Sequence, residues 1–215
     1  SRTRCSIASP PMAEPARGPS DNDVPRVVIA EDEAIIRLDL RETLVEAGYE
    51  VVAEAASGGS ILAAVDEHGA DVALVDINMP GMDGIELTDR LTRTGACAVV
   101  VVTAFGQRDL IQRARDAGAL GYVVKPFDKS DLVPAIEIAL GRFAELQTLR
   151  GRAGELEERL ETRKLVDRAK GILMDTHDMT EAQAFRFLQT GAMQRRDTMA
   201  AVASAVIDGA VAPPQ

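Results

Sequence analysis

Five short runs of apolar, mostly β-branched residues recur between Arg26 and Val124: Val27–Ala30, Val51–Ala53, Val72–Val75, Val99–Val102 and Tyr122–Val124. Amphipathic helical patterns near 34–47, 58–68, 84–93 and 107–117 fill the intervals. Strands that read as almost continuous apolar runs, alternating with helices, belong to a parallel sheet covered on both faces. The pattern predicts an α/β unit over residues 26–145, with a doubly wound, five-stranded parallel sheet. All strands of such a sheet run the same way, and ligands bind in the crevice at their carboxyl ends. Chemistry is therefore expected in the residues that follow each run.

Those residues are Glu31 and Asp32 after the first run, Asp76 after the third, Thr103 at the end of the fourth, and Lys125 before Pro126 after the fifth. Three converging carboxylates repel one another, and a hard divalent cation such as Mg²⁺ relieves the repulsion. The cation and Lys125 would neutralise phosphoryl oxygens, Thr103 would hydrogen-bond one, and Asp76 would be the nucleophile. Any one of the five reads alone as a surface residue capping a strand. Together, in order on four strand ends, they read as a phosphoryl-handling site.

On these residues the sequence resembles the receiver domain of two-component response regulators. The resemblance is carried by Val28-Ile29-Ala30-Glu31-Asp32-Glu33, by Leu74-Val75-Asp76-Ile77-Asn78-Met79-Pro80-Gly81-Met82-Asp83-Gly84, by Val102-Thr103-Ala104-Phe105, and by Gly121-Tyr122-Val123-Val124-Lys125-Pro126-Phe127. It implies a flavodoxin-like fold and phosphorylation of Asp76 by a sensor histidine kinase. It also implies Mg²⁺ held by Glu31, Asp32, Asp76 and the backbone carbonyl of Asn78. Thr103, Ala104, Tyr122 and Lys125 would bind or sense the phosphoryl group, with Thr103 and Tyr122 as the switch pair.

Charge separates this part from the rest. The chain holds 24 Lys and Arg against 34 Asp and Glu, a net charge of −10. Residues 26–145 carry 11 basic and 21 acidic groups, which is the whole excess, while residues 1–25, 146–160 and 161–215 are each neutral. A wholly basic nucleic-acid binder is excluded, and any phosphate contact should come from the neutral C-terminal part. The longest apolar run, 96–102, is far shorter than the roughly 18 residues of a membrane span. Two cysteines, Cys5 and Cys97, make no disulfide framework and fit a reducing cytoplasm. Residues 1–25 hold five of the ten prolines and no hydrophobic period, so they read as a disordered tail, with Met12 a candidate native start.

A fifth helix is expected from about Ser130. Beyond Phe143, Leu146, Leu149, Ala153, Leu156 and Leu160 recur at spacings of 3, 4, 3 and 4, so residues 146–160 read as a helical linker with a short coiled-coil seam. Cover for that stripe could come from a second copy or from within the chain. Three helical patterns follow over 161–212, a small three-helix bundle. The second opens at Thr180 with Gln183 at capping-box spacing, and Phe185 is expected in its core. His68 at a helix end and His177 in a polar turn read as solvated or capping groups. The bundle offers no phosphate loop, metal-ligand spacing or nucleophile–base pair, so binding rather than catalysis is expected. Its basic residues include Arg163, Arg168 and Lys170 on the first helix, and Arg195 and Arg196 before the third. Spacing alone leaves these equally open to nucleic-acid contact or to a solvated charge face.

The run 161–174, Glu161-Thr162-Arg163-Lys164-Leu165-Val166-Asp167-Arg168-Ala169-Lys170-Gly171-Ile172-Leu173-Met174, then Thr180-Glu181-Ala182-Gln183-Ala184-Phe185, Ala192-Met193 and Arg195-Arg196, is similar to the ANTAR domain of transcription antitermination regulators. Gln189 departs from the arginine often found there in that family. The resemblance implies a non-enzymatic, cytoplasmic regulator that dimerises on phosphorylation. It would bind paired stem-loops in nascent mRNA and block a terminator. Arg163, Arg168, Lys170, Arg195 and Arg196 would be its RNA contacts. The competing expectations are a DNA-binding response regulator, disfavoured because the third helical stripe bears no groove-reading polar residue, and a protein-binding phospho-switch adaptor. An aspartate phosphatase would need a second acid where Asn78 stands.

Overall fold

The computed structural model describes residues 24–104 and 108–212. Cys5, Met12, Phe105 and all but the last two residues of the expected tail lie outside them. The element order is β1 (Arg26–Ala30), α1 (Ala34–Ala47), β2 (Glu50–Ala55), α2 (Gly58–His68), β3 (Val72–Asp76), α3 (Gly84–Thr94), β4 (Ala98–Thr103), α4 (Arg108–Asp116), β5 (Gly121–Val124), α5 (Lys129–His177), α6 (Glu181–Arg195) and α7 (Met199–Ile207).

The strands pair in parallel in the order β2-β1-β3-β4-β5, a flavodoxin-like sheet. Side chains alternate across a strand, so each central strand feeds two cores. Val27, Ile29, Val72, Leu74, Val100 and Val102 pack on Leu40 and Leu44 of α1 and on Leu132 and Ile136 of α5. Val28, Ala30, Ala73, Val75 and Val99 pack on Ile61 and Val65 of α2 and on Leu87 and Leu91 of α3. Burial on both faces is why the runs read as unbroken apolar stretches rather than as alternation.

Register sets the level of the strand ends. Ala30 stands opposite Val75 and Asp76 opposite Val102, so Glu31 comes level with Asp76 and Thr103 lies one residue beyond. Thr103 stands opposite Val124, which brings Lys125 next in line.

The chain divides into two compact units between Gln147 and Thr148, inside α5. The fifth helix, the helical linker and the first bundle pattern form one continuous helix of 49 residues. No proline interrupts the run between Pro134 and His177, and isolated glycines at 141, 151, 154 and 171 weaken a helix without ending it. His177 is the last helical residue of α5 and not part of the turn that follows.

In the second unit, Val166, Ala169 and Leu173 of α5 enclose a core with Ala184, Leu188 and Ala192 of α6 and Val202, Ala203 and Val206 of α7. The expected capping box opens α6: the Gln183 N–H donates to Thr180 Oγ1 at 3.4 Å, and the Thr180 N–H donates to Gln183 Oε1 at 2.8 Å. The expectation that Phe185 is core fails. Phe185 stays 43% exposed, and Phe187 packs against the core instead. The cause is where α7 crosses α6. It passes over Gly191, where a β-carbon would come within 3.1 Å of Val202 Cγ1, and Phe187 shares that face one turn earlier.

Candidate functional site

β1 ends at Ala30 and β3 at Asp76, and beyond them the chain must turn away from the sheet. Glu31, Asp32 and Asp76 each place a carboxylate oxygen within 4.8 Å of the others. Glu31 is fully buried and Asp76 nearly so. Lys125 closes the cluster, its Nζ 2.7 Å from Glu31 Oε2 and 3.0 Å from Asp76 Oδ2, with the lysine side chain only 10% exposed. The Lys125–Pro126 peptide is cis. Asp76 Oδ1 accepts from the Asn78 N–H at 3.4 Å, and Glu31 Oε1 accepts from the Glu33 N–H at 3.3 Å.

Burial pushes the Glu31 carboxyl above the ordinary carboxylate range; Lys125 opposes the shift and Asp76 adds to it. For Lys125, burial pulls the ammonium down, but Glu31 and Asp76 outweigh it and hold the group above the usual lysine value. When ionised, three carboxylates and one ammonium leave two net negative charges in a largely dry site. Glu31 Oε2 is buried and faces the Lys125 ammonium at 2.7 Å, with no further partner among the described residues. All-oxygen donors, excess negative charge and an incompletely satisfied buried oxygen suit a hard divalent cation such as Mg²⁺.

Thr103 is 1% exposed at the end of β4, and Ala104 beside it is exposed. Tyr122 stands 52% exposed on β5. The strand ends therefore bring Glu31, Asp32, Asp76 and Lys125 into contact range, with Thr103 beside them by register and the tyrosine ring outside.

Two supports for the site come from residues beyond the strand ends. Arg37 Nη1 donates to the Glu31 carbonyl at 2.6 Å and to the Asp32 carbonyl at 3.4 Å, tying the acid pair back onto α1. Its Nε lies 3.8 Å from Glu54 on β2. An arginine six residues after the first acid, at the start of a helix, is the only local sign of this. The second support is Gly84, the first residue of α3, whose N–H donates to the Ile77 carbonyl at 3.0 Å. A β-carbon there would lie 1.9 Å from the Asp76 carbonyl oxygen, so only glycine lets α3 approach the strand end this closely.

In the second unit, Asp167 sits between two of the basic candidates, 3.8 Å from Arg163 Nε and 2.9 Å from Lys170 Nζ. Lys170 also reaches Glu181 on α6 at 2.8 Å and is only 16% exposed, so it ties α5 to α6. Lys170 holds Asp167 below the ordinary carboxylate range, and Glu181 and Asp167 raise Lys170. Arg168, Arg195 and Arg196 are exposed, and Arg196 caps α6 in the left-handed region at φ 53°.

A model of the response regulator receiver domain matches residues 27–137, and a model of the ANTAR domain matches residues 154–207. The transcriptional regulatory protein PdtaR of Mycobacterium tuberculosis (strain H37Rv) is 52% identical over 190 residues, 88% of this chain and 93% of that protein. This chain belongs to the receiver–ANTAR response regulators. The chemotaxis protein CheY of Bacillus subtilis (strain 168) is 36% identical over 116 residues, covering 54% of this regulator and 97% of CheY. Among solved structures, Vibrio cholerae CheY4 superposes with a TM-score of 0.51 at 28% identity, covering 54% of this regulator and 99% of that chain. The receiver domain of the putative response regulator NarL from Mycobacterium tuberculosis gives 0.53 at 27% identity, with 55% and 98% covered. Among the described residues no helix of the regulator is long and apolar enough to cross a membrane.

Proposed function

We propose that the chain is a cytoplasmic, phosphorylation-dependent antiterminator that binds paired stem-loops in nascent mRNA. Residues 26–145 act as the receiver, 146–160 as a helical linker and 161–212 as the RNA-binding bundle. The observation that carries the reading is the Lys125 ammonium set between Glu31 and Asp76 beside Asp32, in a chain whose second unit matches the ANTAR model.

In this reading an Asp76 carboxylate oxygen attacks the phosphohistidine of a sensor kinase, forming an acyl phosphate as the imidazole leaves. Glu31, Asp32, Asp76 and the Asn78 carbonyl would hold Mg²⁺, which when bound would supply positive charge against the phosphoryl oxygens. Lys125 then exchanges one carboxylate partner for a phosphoryl oxygen, Thr103 and the Ala104 N–H turn to another, and Tyr122 fills the space Thr103 vacates. Its only chemistry is phosphoryl transfer to and loss from Asp76; it is otherwise not an enzyme. Leu149, Leu156 and Leu160, each more than half exposed, form the seam across which two phosphorylated copies pair. Arg163, Arg168, Lys170, Arg195 and Arg196 offer the RNA their charge, with Lys170 also tying α5 to α6 through Glu181.

The test is affinity for an RNA with two stem-loops, with and without a small phosphoryl donor plus Mg²⁺. Binding that rises on phosphorylation, and fails to rise in Asp76→Asn, supports the reading. No RNA binding in either state overturns it in favour of a protein-binding adaptor.

A further inference from the structure

The displaced aromatic of α6 borders an open cleft. Phe185, Val166 and Met199 form its apolar floor, and Arg159, Thr162, Arg163 and Glu158 form its polar rim, around a volume of about 330 Å³. Phe185 is one of only five phenylalanines in a chain with no tryptophan, and it stands 43% exposed. The Arg163 side chain is 82% exposed, and its ion pair with Asp167 is a loose 3.8 Å.

We propose that this cleft receives one unpaired base of an RNA loop, stacked against the Phe185 ring, with Arg159 and Arg163 reaching its phosphate. The inference rests on the RNA-binding reading and names where a base enters. An aromatic face accepts any base, and a neighbouring guanidinium adds cation–π and phosphate contacts. The volume lies at the small end of the roughly 300–1,000 Å³ usual for small-molecule sites, a scale suited to a nucleotide. Arg159 and Arg163 line the rim beside one carboxylate, Glu158, and Asp167 offsets Arg163 only through the loose 3.8 Å pair, so both guanidiniums are open to a phosphate.

A second copy of α5 fits the cleft less well. The apolar stripe at 3-and-4 spacing ends at Leu160, because the next two positions are Arg163 and Asp167. A helix–helix seam therefore runs out where the cleft begins.

Because the chain has no tryptophan, Phe185→Trp places the sole indole at the proposed contact. The full chain, with phosphoryl donor and Mg²⁺, is titrated with a pool of two-stem-loop RNAs carrying randomised loops, and with a fully paired duplex of equal length. The stem-loop pool should quench the indole and the duplex should not. On an RNA selected from that pool, Phe185→Ala should bind at least about tenfold more weakly, with its helical CD signal and melting temperature retained. Phe185→Trp, which restores an aromatic face, should bind more tightly than Phe185→Ala. Arg163→Ala should lose less and lower the salt slope by about one. Selected RNA that binds the wild type and Phe185→Ala alike, without quenching, overturns the cleft and leaves RNA binding standing. A wild type that binds no member of the pool overturns both. Indole emission that shifts with dimer formation in the absence of RNA assigns the cleft to a second copy and overturns the proposal.

Discussion

Gly84 and Asp76 touch so closely that a β-carbon on the glycine would lie 1.9 Å from the aspartate's carbonyl oxygen. Neither partner can yield cheaply, since one is a helix start and the other the last residue of a central strand. Gly84→Ala should destabilise the first unit by about 1–3 kcal/mol, the usual range for overpacking. It should also shift Asp76 enough to slow its phosphorylation by a small donor. Thermal melting and phosphate incorporation check this; an unshifted melting curve would sink it.

Lys125 supplies the cation that faces both Glu31 and Asp76. Lys125→Ala should leave two buried carboxylates uncompensated and cost about 3 kcal/mol. Added Mg²⁺ should recover more of the melting temperature in this variant than in the wild type. Equal Mg²⁺ increments in calorimetry would argue against the shared-site geometry.

Burial raises Glu31 above the ordinary glutamate value of 4.5, so protons compete with the cation at a higher pH than for an ordinary carboxylate. For the metal-free chain the sign is fixed: the protonated form's stabilising contribution is full below 4.5 and is lost as pH rises through the elevated value. Mg²⁺ affinity should run the other way, weakening as pH falls through that range. Calorimetric titration at several pH values should show this onset in the wild type and lose it in Glu31→Gln.

Lys170 bridges Asp167 and Glu181, whereas Arg163 is largely exposed. Lys170→Ala should therefore lower the melting temperature of the C-terminal bundle, most visibly at low salt. Glu181→Gln should reproduce part of the effect. Asp167, held low by Lys170, contributes stability above its unfolded value of 3.8 that is lost as pH falls through its depressed one. Arg163→Ala should leave melting unchanged. Matched melting curves for the two alanine variants would remove the distinction.

Cys97 is buried, and that burial pushes its thiol up to about 12. In a Cys5→Ser background, Cys97 should resist maleimide at pH 8 in the native chain and react once the chain is denatured. Rapid native labelling would place the thiol nearer the surface than described.

The positions of Glu31, Asp32, Asp76, Thr103 and Lys125 follow from local pattern alone. Parallel strands buried on both faces announce themselves as valine-rich runs, and all of them end on one edge, so the next residues must gather there. The α6 capping box was equally legible, because its partners lie three residues apart. Other features depend on which helix lies against which. Arg37 finds the acid pair's carbonyls only once α1 folds back, and Gly84 meets Asp76 only through the return of α3. Lys170 meets Glu181 across two helices, and Phe185 yields its expected place to Phe187 because α7 crosses α6 at Gly191. A period in the chain shows which residues share a face of one element. Only packing decides which of those faces is covered, and by what.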